Sequence, residues 1–86
     1  MSDWTWDWNP SEEYLTKGLP PGVVAEIERL ATELAALDPD SVRAGSPANR
    51  EGGLRVFDLL GGRGFISFLA IPRHECVYVS NITWTG

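Results

Sequence analysis

Residues 54–84 constrain this chain more than any other part, because they read as three consecutive β-strands: Leu54–Leu60, Arg63–Ile71 and Glu75–Trp84. Gly61-Gly62 joins the first strand to the second, with Gly64 just beyond, and glycines supply the positive φ that a tight hairpin turn needs. Pro72-Arg73-His74 joins the second to the third. Phe65, Ile66, Phe68, Leu69 and Ile71 make the middle run apolar on both sides, the pattern of a central strand covered on both faces. In the last run, Val77 and Val79 are expected to point opposite to Tyr78 and Ile82.

A meander of three strands needs a second layer to bury its apolar face, and the first half of the chain supplies candidates for it. Val23, Ile27, Leu30, Leu34 and Leu37 recur at helical spacing and form one apolar stripe, while Glu26, Arg29 and Glu33 lie off the stripe and should face water. A short helix is expected before it. Asn9 would cap it, Pro10 would take its first position and Glu12 would complete a capping box, with an end near Lys17-Gly18. Ahead of that helix, Trp4, Trp6 and Trp8 alternate with Thr5 and Asp7, as in a half-buried strand. Three indoles on one face would give a small domain core area. The alternative is a platform on which bases stack. An exposed triple-Trp stripe would be a large sticky patch, so the core is the expected place. Residues 38–53, with Pro39, Gly45, Pro47, Gly52 and Gly53, show no periodicity and read as a long loop.

The resulting order is strand, two helices, three strands, in a single domain covering residues 1–86. Both helices should pack on one face of the sheet. The single cysteine, Cys76, excludes an intrachain disulfide and a four-cysteine metal site, and reads as a small buried residue. No apolar run reaches membrane-spanning length, and the N-terminus has acids and tryptophans where a leader would be basic, so a cytoplasmic protein without membrane contact is expected.

Charge is unevenly spread. Residues 1–43 hold nine acids and three bases, and residues 44–86 hold three acids and four arginines, within a formal net charge of −5. An acidic body repels nucleic acid at long range, so any contact with it would run through the arginines of the second half. Gly61-Gly62-Arg63-Gly64 lacks the spacing of a phosphate loop, and no cofactor motif is present. His74, next to a proline in a turn, reads as exposed and without a catalytic role. Arg55 and Arg63 flank the first turn. As neighbours on one face they would hold a phosphate and stabilise charge developing on it. The plainer reading pairs them with Asp58, Glu51 or Glu75.

In this order and spacing the chain resembles the RelE/ParE superfamily of small bacterial toxins. The resemblance runs through Trp4-Thr5-Trp6-Asp7-Trp8-Asn9-Pro10, Leu15, Leu19-Pro20, then Ile27, Leu30, Leu34 and Asp38-Pro39. It continues through Leu54-Arg55-Val56, Gly62 to Ile66 and Val77 to Trp84, and the ending Ile82 to Gly86 is similar to short members that stop just after a tryptophan. It implies a small α+β fold, β-α-α-β-β-β, with an antiparallel sheet and two helices on one face. It also implies the toxin half of a type II toxin–antitoxin pair, with a cognate antitoxin as partner. For RelE-like members it implies ribosome-dependent cleavage of messenger RNA, with Arg63 at the scissile phosphate and Arg55 as an additional catalytic cation. The acidic charge departs from those nucleases, as does the lack of a C-terminal segment with further catalytic residues. Two alternatives follow: a ParE-like, non-enzymatic inhibitor of DNA gyrase, or a non-toxic protein-interaction domain on the same fold.

Overall fold

A computed structural model describes residues 3–43, 45–47 and 54–85. Glu51, a candidate arginine partner, lies outside the described residues, as do Gly86 and residues 44 and 48–53 of the expected loop. The elements in chain order are β1 (Thr5–Trp8), α1 (Glu12–Thr16), α2 (Pro21–Ala36), a 3-10 turn (Asp38–Arg43), β2 (Ser46–Pro47), β3 (Arg55–Leu59), β4 (Gly64–Ile71), a second 3-10 turn (Pro72–His74) and β5 (Cys76–Trp84). The chain is thus α+β, with two helices and a mixed sheet in the order β1-β5-β4-β3-β2.

Two parts of the expected architecture are corrected. First, the sheet is not wholly antiparallel, because β1 runs parallel to β5, with Trp6 beside Val77 and Trp8 beside Val79. A parallel neighbour needs a long crossover, and everything from α1 to β4 provides it. Second, the region 38–53 is not featureless. It opens with the Asp38–Arg43 turn, in which Ser41 is fully buried and its hydroxyl donates to the Asp38 carbonyl at 2.8 Å. Ser46 and Pro47 then pair with Val56 and Arg55 at the β3 edge.

The short helix begins later than Asn9 and Pro10 suggest. Ser11 is its cap, extended at φ −162°, and its Oγ accepts the Tyr14 N–H at 3.2 Å. Serine is as good a cap as asparagine, and its position sets the start. Leu15 is the buried anchor of α1. In α2, Pro21 fills the first helical position, where its missing N–H would have no partner anyway. Val23, Ile27, Leu30 and Leu34 are buried as expected, together with Ala31 and Ala35. Leu37, the last residue of the stripe, is 45% exposed because α2 has ended at Ala36. On the outer side Arg29 reaches Glu26 at 2.7 Å and Glu33 at 2.8 Å. That contact holds the Glu26 carboxyl below its ordinary value.

The core lies between the helices and one face of the sheet. Val23, Ile27, Leu30, Ala31 and Leu34 meet Leu59, Ile66, Phe68, Ala70, Val77 and Val79, and Trp4, Trp6, Trp8 and Trp84 are partly buried against that cluster. The middle strand β4 is therefore covered on one face only, contrary to the two-sided reading. Its other face keeps Phe65 37% exposed and Leu69 and Ile71 half-buried.

The phase of β5 also differs from simple alternation. Phe68 pairs with Val79 and Ser67 with Asn81, so Ser80 is an extra residue on β5. Such a bulge reverses which side the following residues face. Ile82 therefore joins Val77 and Val79 on the core side, instead of pointing away with Tyr78, and Trp84 follows it. Beyond that point Gly64 is required by close approach, since a Cβ there would strike the Thr83 carbonyl and lie 3.1 Å from the Trp84 ring.

Truncating Ile27 to alanine removes a side chain with no solvent exposure and should cost about 2–5 kcal/mol in urea unfolding. The same truncation at Leu37, on the same stripe but largely outside the core, should cost less than about 1 kcal/mol.

Candidate functional site

The β3–β4 turn runs from Leu60 to Arg63. Leu60, Gly61 and Gly62 all take positive φ, and the N–H groups of Gly62 and Arg63 both donate to the Leu59 carbonyl at 3.1 Å. Arg63 closes this turn and is exposed. Its backbone is fixed by the end of β5, since the Thr85 N–H and hydroxyl both donate to the Arg63 carbonyl, at 3.0 and 2.7 Å.

Arg55 stands at the other end of the hairpin. It pairs with Phe68, whereas Leu59 pairs with Gly64 beside the turn. Four residues of strand therefore separate it from the turn, roughly 13 Å. Arg55 Nη2 donates to the Gly45 carbonyl at 2.9 Å. Gly45 is itself held close, because a Cβ at its position would strike the Val56 carbonyl. The structure thus places the two arginines at opposite ends of one hairpin instead of side by side. A single phosphate does not bridge them there.

The face of the sheet away from the helices brings other residues together. Register puts Val56, Ser67 and Asn81 in one row, Asp58, Phe65 and Thr83 in the next, and Leu69 beside Tyr78. Across the β1–β5 pair, Asp7 lies beside Tyr78 and Thr5 beside Cys76. Apolar Phe65 lies on one side of the Ser67–Asn81 row and Leu69, Ile71 and Tyr78 on the other, while Asp7, Asp58 and the threonines stand beside them.

At one end of that face His74, Cys76 and Tyr78 form a group that residue-by-residue reading missed. His74 Nδ1 lies 3.0 Å from the Tyr78 hydroxyl, with the rings edge to face at 5.9 Å. His74 is exposed, as expected, but its ring is held. Fixing Nδ1 leaves Nε2 as the nitrogen open to another partner. Cys76 is buried as expected, with its thiol directed to the Val77 carbonyl at 3.7 Å. Burial pushes the Tyr78 phenol up from its ordinary value, helped by the Cys76 sulfur and the Asp7 carboxylate. Strand alternation puts Cys76 and Tyr78 on one side of β5, whereas His74 reaches Tyr78 from the preceding 3-10 turn through the left-handed Glu75, which local pattern does not show.

The tryptophan strand contributes to the core and also to a cleft. Thr5 and Trp6 of β1, Trp4 just before that strand, and Thr32, Ala35 and Ala36 of α2 line an open depression of about 450 Å³. Trp6 is steadied by an edge-to-face contact with Trp8, with centroids 5.1 Å apart. A smaller cleft of about 320 Å³ lies between α2 and β3, walled by Leu30, Leu34, Leu37 and Phe57 with Glu33 at its rim.

Among the described residues no cluster of three or more His, Cys, Asp or Glu is placed to hold a metal ion, and no helix is long and apolar enough to cross a membrane. Compared with protein families, curated proteins and solved structures, the chain matches none.

The shift at Tyr78 has a defined pH consequence. Its ordinary value is 10.0 and the folded value is higher, so above pH 10 the unfolded chain releases a phenolic proton that the folded chain retains. Stability is unaffected by this group below pH 10 and falls as pH rises above it. Ultraviolet titration of the phenols should show one tyrosine ionising late, and Tyr78→Phe should remove both that late step and its share of the alkaline destabilisation.

Proposed function

We propose that this chain is a small toxin-like domain of the RelE/ParE type that acts by docking on another protein. The supporting observation is the sheet face that the helices leave uncovered, where Phe65 is 37% exposed and Val56, Leu69, Ile71 and Tyr78 are half-buried. A one-sided sheet that served only its own stability would turn polar side chains to water. These apolar groups flank the Ser67–Asn81 row, and exposed apolar area among polar groups is a mark of a protein interface. In a toxin–antitoxin pair its occupant is the cognate antitoxin, and the cellular target is a protein such as DNA gyrase. The element order departs from the expected β-α-α-β-β-β, with a 3-10 turn and β2 between α2 and β3, so the family reading rests on the sequence resemblance and not on topology. A non-toxic interaction domain uses the same surface without a cellular target.

Ribosome-dependent cleavage of messenger RNA is the second reading, favoured by the exposed position of Arg63 at the end of a rigid turn. On this reading Arg63 acts at the phosphate without Arg55, which is occupied at Gly45.

Induced expression in a bacterial host separates these readings. A docking toxin should arrest growth, a co-expressed antitoxin should relieve the arrest, and Arg63→Ala should leave it unchanged. Leu69→Asp on the open face should lower the arrest at least tenfold in surviving colonies while thermal unfolding stays near that of the parent. Loss of toxicity in Arg63→Ala, with messenger cleavage by the parent, would replace docking by the nuclease. Unimpeded growth under strong induction would leave only the non-toxic domain.

A further inference from the structure

The edge strand β1 offers a second surface. In its parallel ladder the Thr5 and Asn9 N–H groups donate inward to the Glu75 and Val79 carbonyls, at 3.0 and 2.8 Å. Backbone groups alternate along a strand, so Trp6 and Trp8 direct theirs away from β5, toward the outer edge of the sheet. The Trp8 N–H is met there by its neighbour's side chain, Asp7 Oδ1, at 2.8 Å. Asp7 therefore closes the outer edge at Trp8, and pairing with an added strand is centred on Trp6. A residue paired opposite Trp6 would project its side chain to the same side as Trp6. On that side lies the cleft of Trp4, Thr5, Trp6, Thr32, Ala35 and Ala36.

The chemistry of the cleft selects what enters it. Two indoles and two alanines are among its six lining residues, none of which carries charge. The half of the chain that builds the cleft is acidic, with nine acids and three bases in residues 1–43. Residues 1–16 hold Asp3, Asp7, Glu12 and Glu13 and no lysine or arginine. Glu28 lies one helical turn before Thr32, whose hydroxyl donates to the Glu28 carbonyl at 2.8 Å. Arg29, the nearest cation on α2, is held between Glu26 and Glu33. Indole faces attract cations, and acidic surroundings add to that attraction. The same charge disfavours a nucleic acid, which would otherwise suit exposed indoles.

We infer that the outer edge of β1 and the Trp4–Trp6 cleft together bind an extended, cationic segment of a partner protein, which pairs with Trp6 and lays an arginine or lysine side chain in the cleft. This rests on the reading of the chain as a protein-docking domain and adds a partner chemistry to it. The segment contributes backbone hydrogen bonds to the edge, and its cation supplies the selectivity.

The probe is an acetylated, amidated eight-residue peptide of alternating threonine and arginine, titrated into the isotope-labelled protein. Expected are shifts of the indole N–H signals of Trp4 and Trp6 and of the Ala35 and Ala36 amides, with Trp84 unmoved, and an affinity that falls as salt rises. Replacing the peptide's arginines by glutamate should weaken binding more than tenfold. Ala36→Arg places a fixed cation in the cleft at an exposed position and should weaken binding at least tenfold with unchanged thermal unfolding. The inference is overturned if the arginine peptide does not bind, if its shifts map elsewhere, if Ala36→Arg binds as the parent does, or if an equally long single-stranded RNA competes better than the peptide. The docking function is read separately, from the loss of growth arrest in Leu69→Asp. If that assay succeeds and the peptide fails, only the β1 site is lost; if induction causes no arrest, the toxin reading fails whatever the peptide does.

Discussion

β5 is hydrogen-bonded on both sides, to β4 along most of its length and to β1 over Thr5–Trp8, and its Val77 and Val79 have no exposure to water. Every other layer leans on this strand. Without it β1 has no ladder, the tryptophan stripe has no floor, and α2 loses much of the surface that covers Ile27 and Leu34. The partner strands come from opposite ends of the chain, so the core closes only when residues near 6 meet residues near 78. A domain of this size buries a modest share of its surface and has little stability to spare, so the closure is central to folding as well as to shape.

That arrangement also decides where function can reside. With both helices committed to one face, the other face and the outer edge of β1 are, among the described residues, surfaces on which the domain can meet something else. The hairpin arginines do not form a joint site because the β3–β4 register puts them at its two ends. The first half of the chain, which supplies the edge strand, is acidic, while Arg55 and Arg63 sit at the two ends of the β3–β4 hairpin and Arg73 in the turn after β4.

Much of the fold was legible in the sequence. The three late strands were readable within a residue or two, because Gly61-Gly62 and Pro72 punctuate apolar runs too short to be helices. The α2 stripe was readable from spacing alone, except that periodicity could not reveal the end of the helix at Ala36 and so overcounted Leu37. What failed depends on pairings that no local pattern encodes. The parallel β1–β5 contact is a choice of neighbour, the Ser80 bulge is a choice of register, and the exposed face of β4 follows from both helices settling on one side. At the candidate sites, Arg63 was placed correctly beside the turn, but its distance from Arg55 required the ladder register. The His74–Tyr78 contact depends on the 3-10 turn and the left-handed Glu75 ahead of β5, which no local pattern announces.

The bulge at Ser80 has a bearing on how relatives of this chain would be recognised. Val77 and Val79 occupy odd positions and Ile82 and Trp84 even ones, yet all four turn to the same interior. A descendant that lost one residue here could keep every contact by letting its second half slip back into step. Its hydrophobic lettering would then be displaced by one place from this chain's, although its architecture had not changed. Gap-free comparison across this strand would score such a pair as dissimilar over the stretch where their interiors agree most closely. The shape of this strand can therefore outlast its spelling.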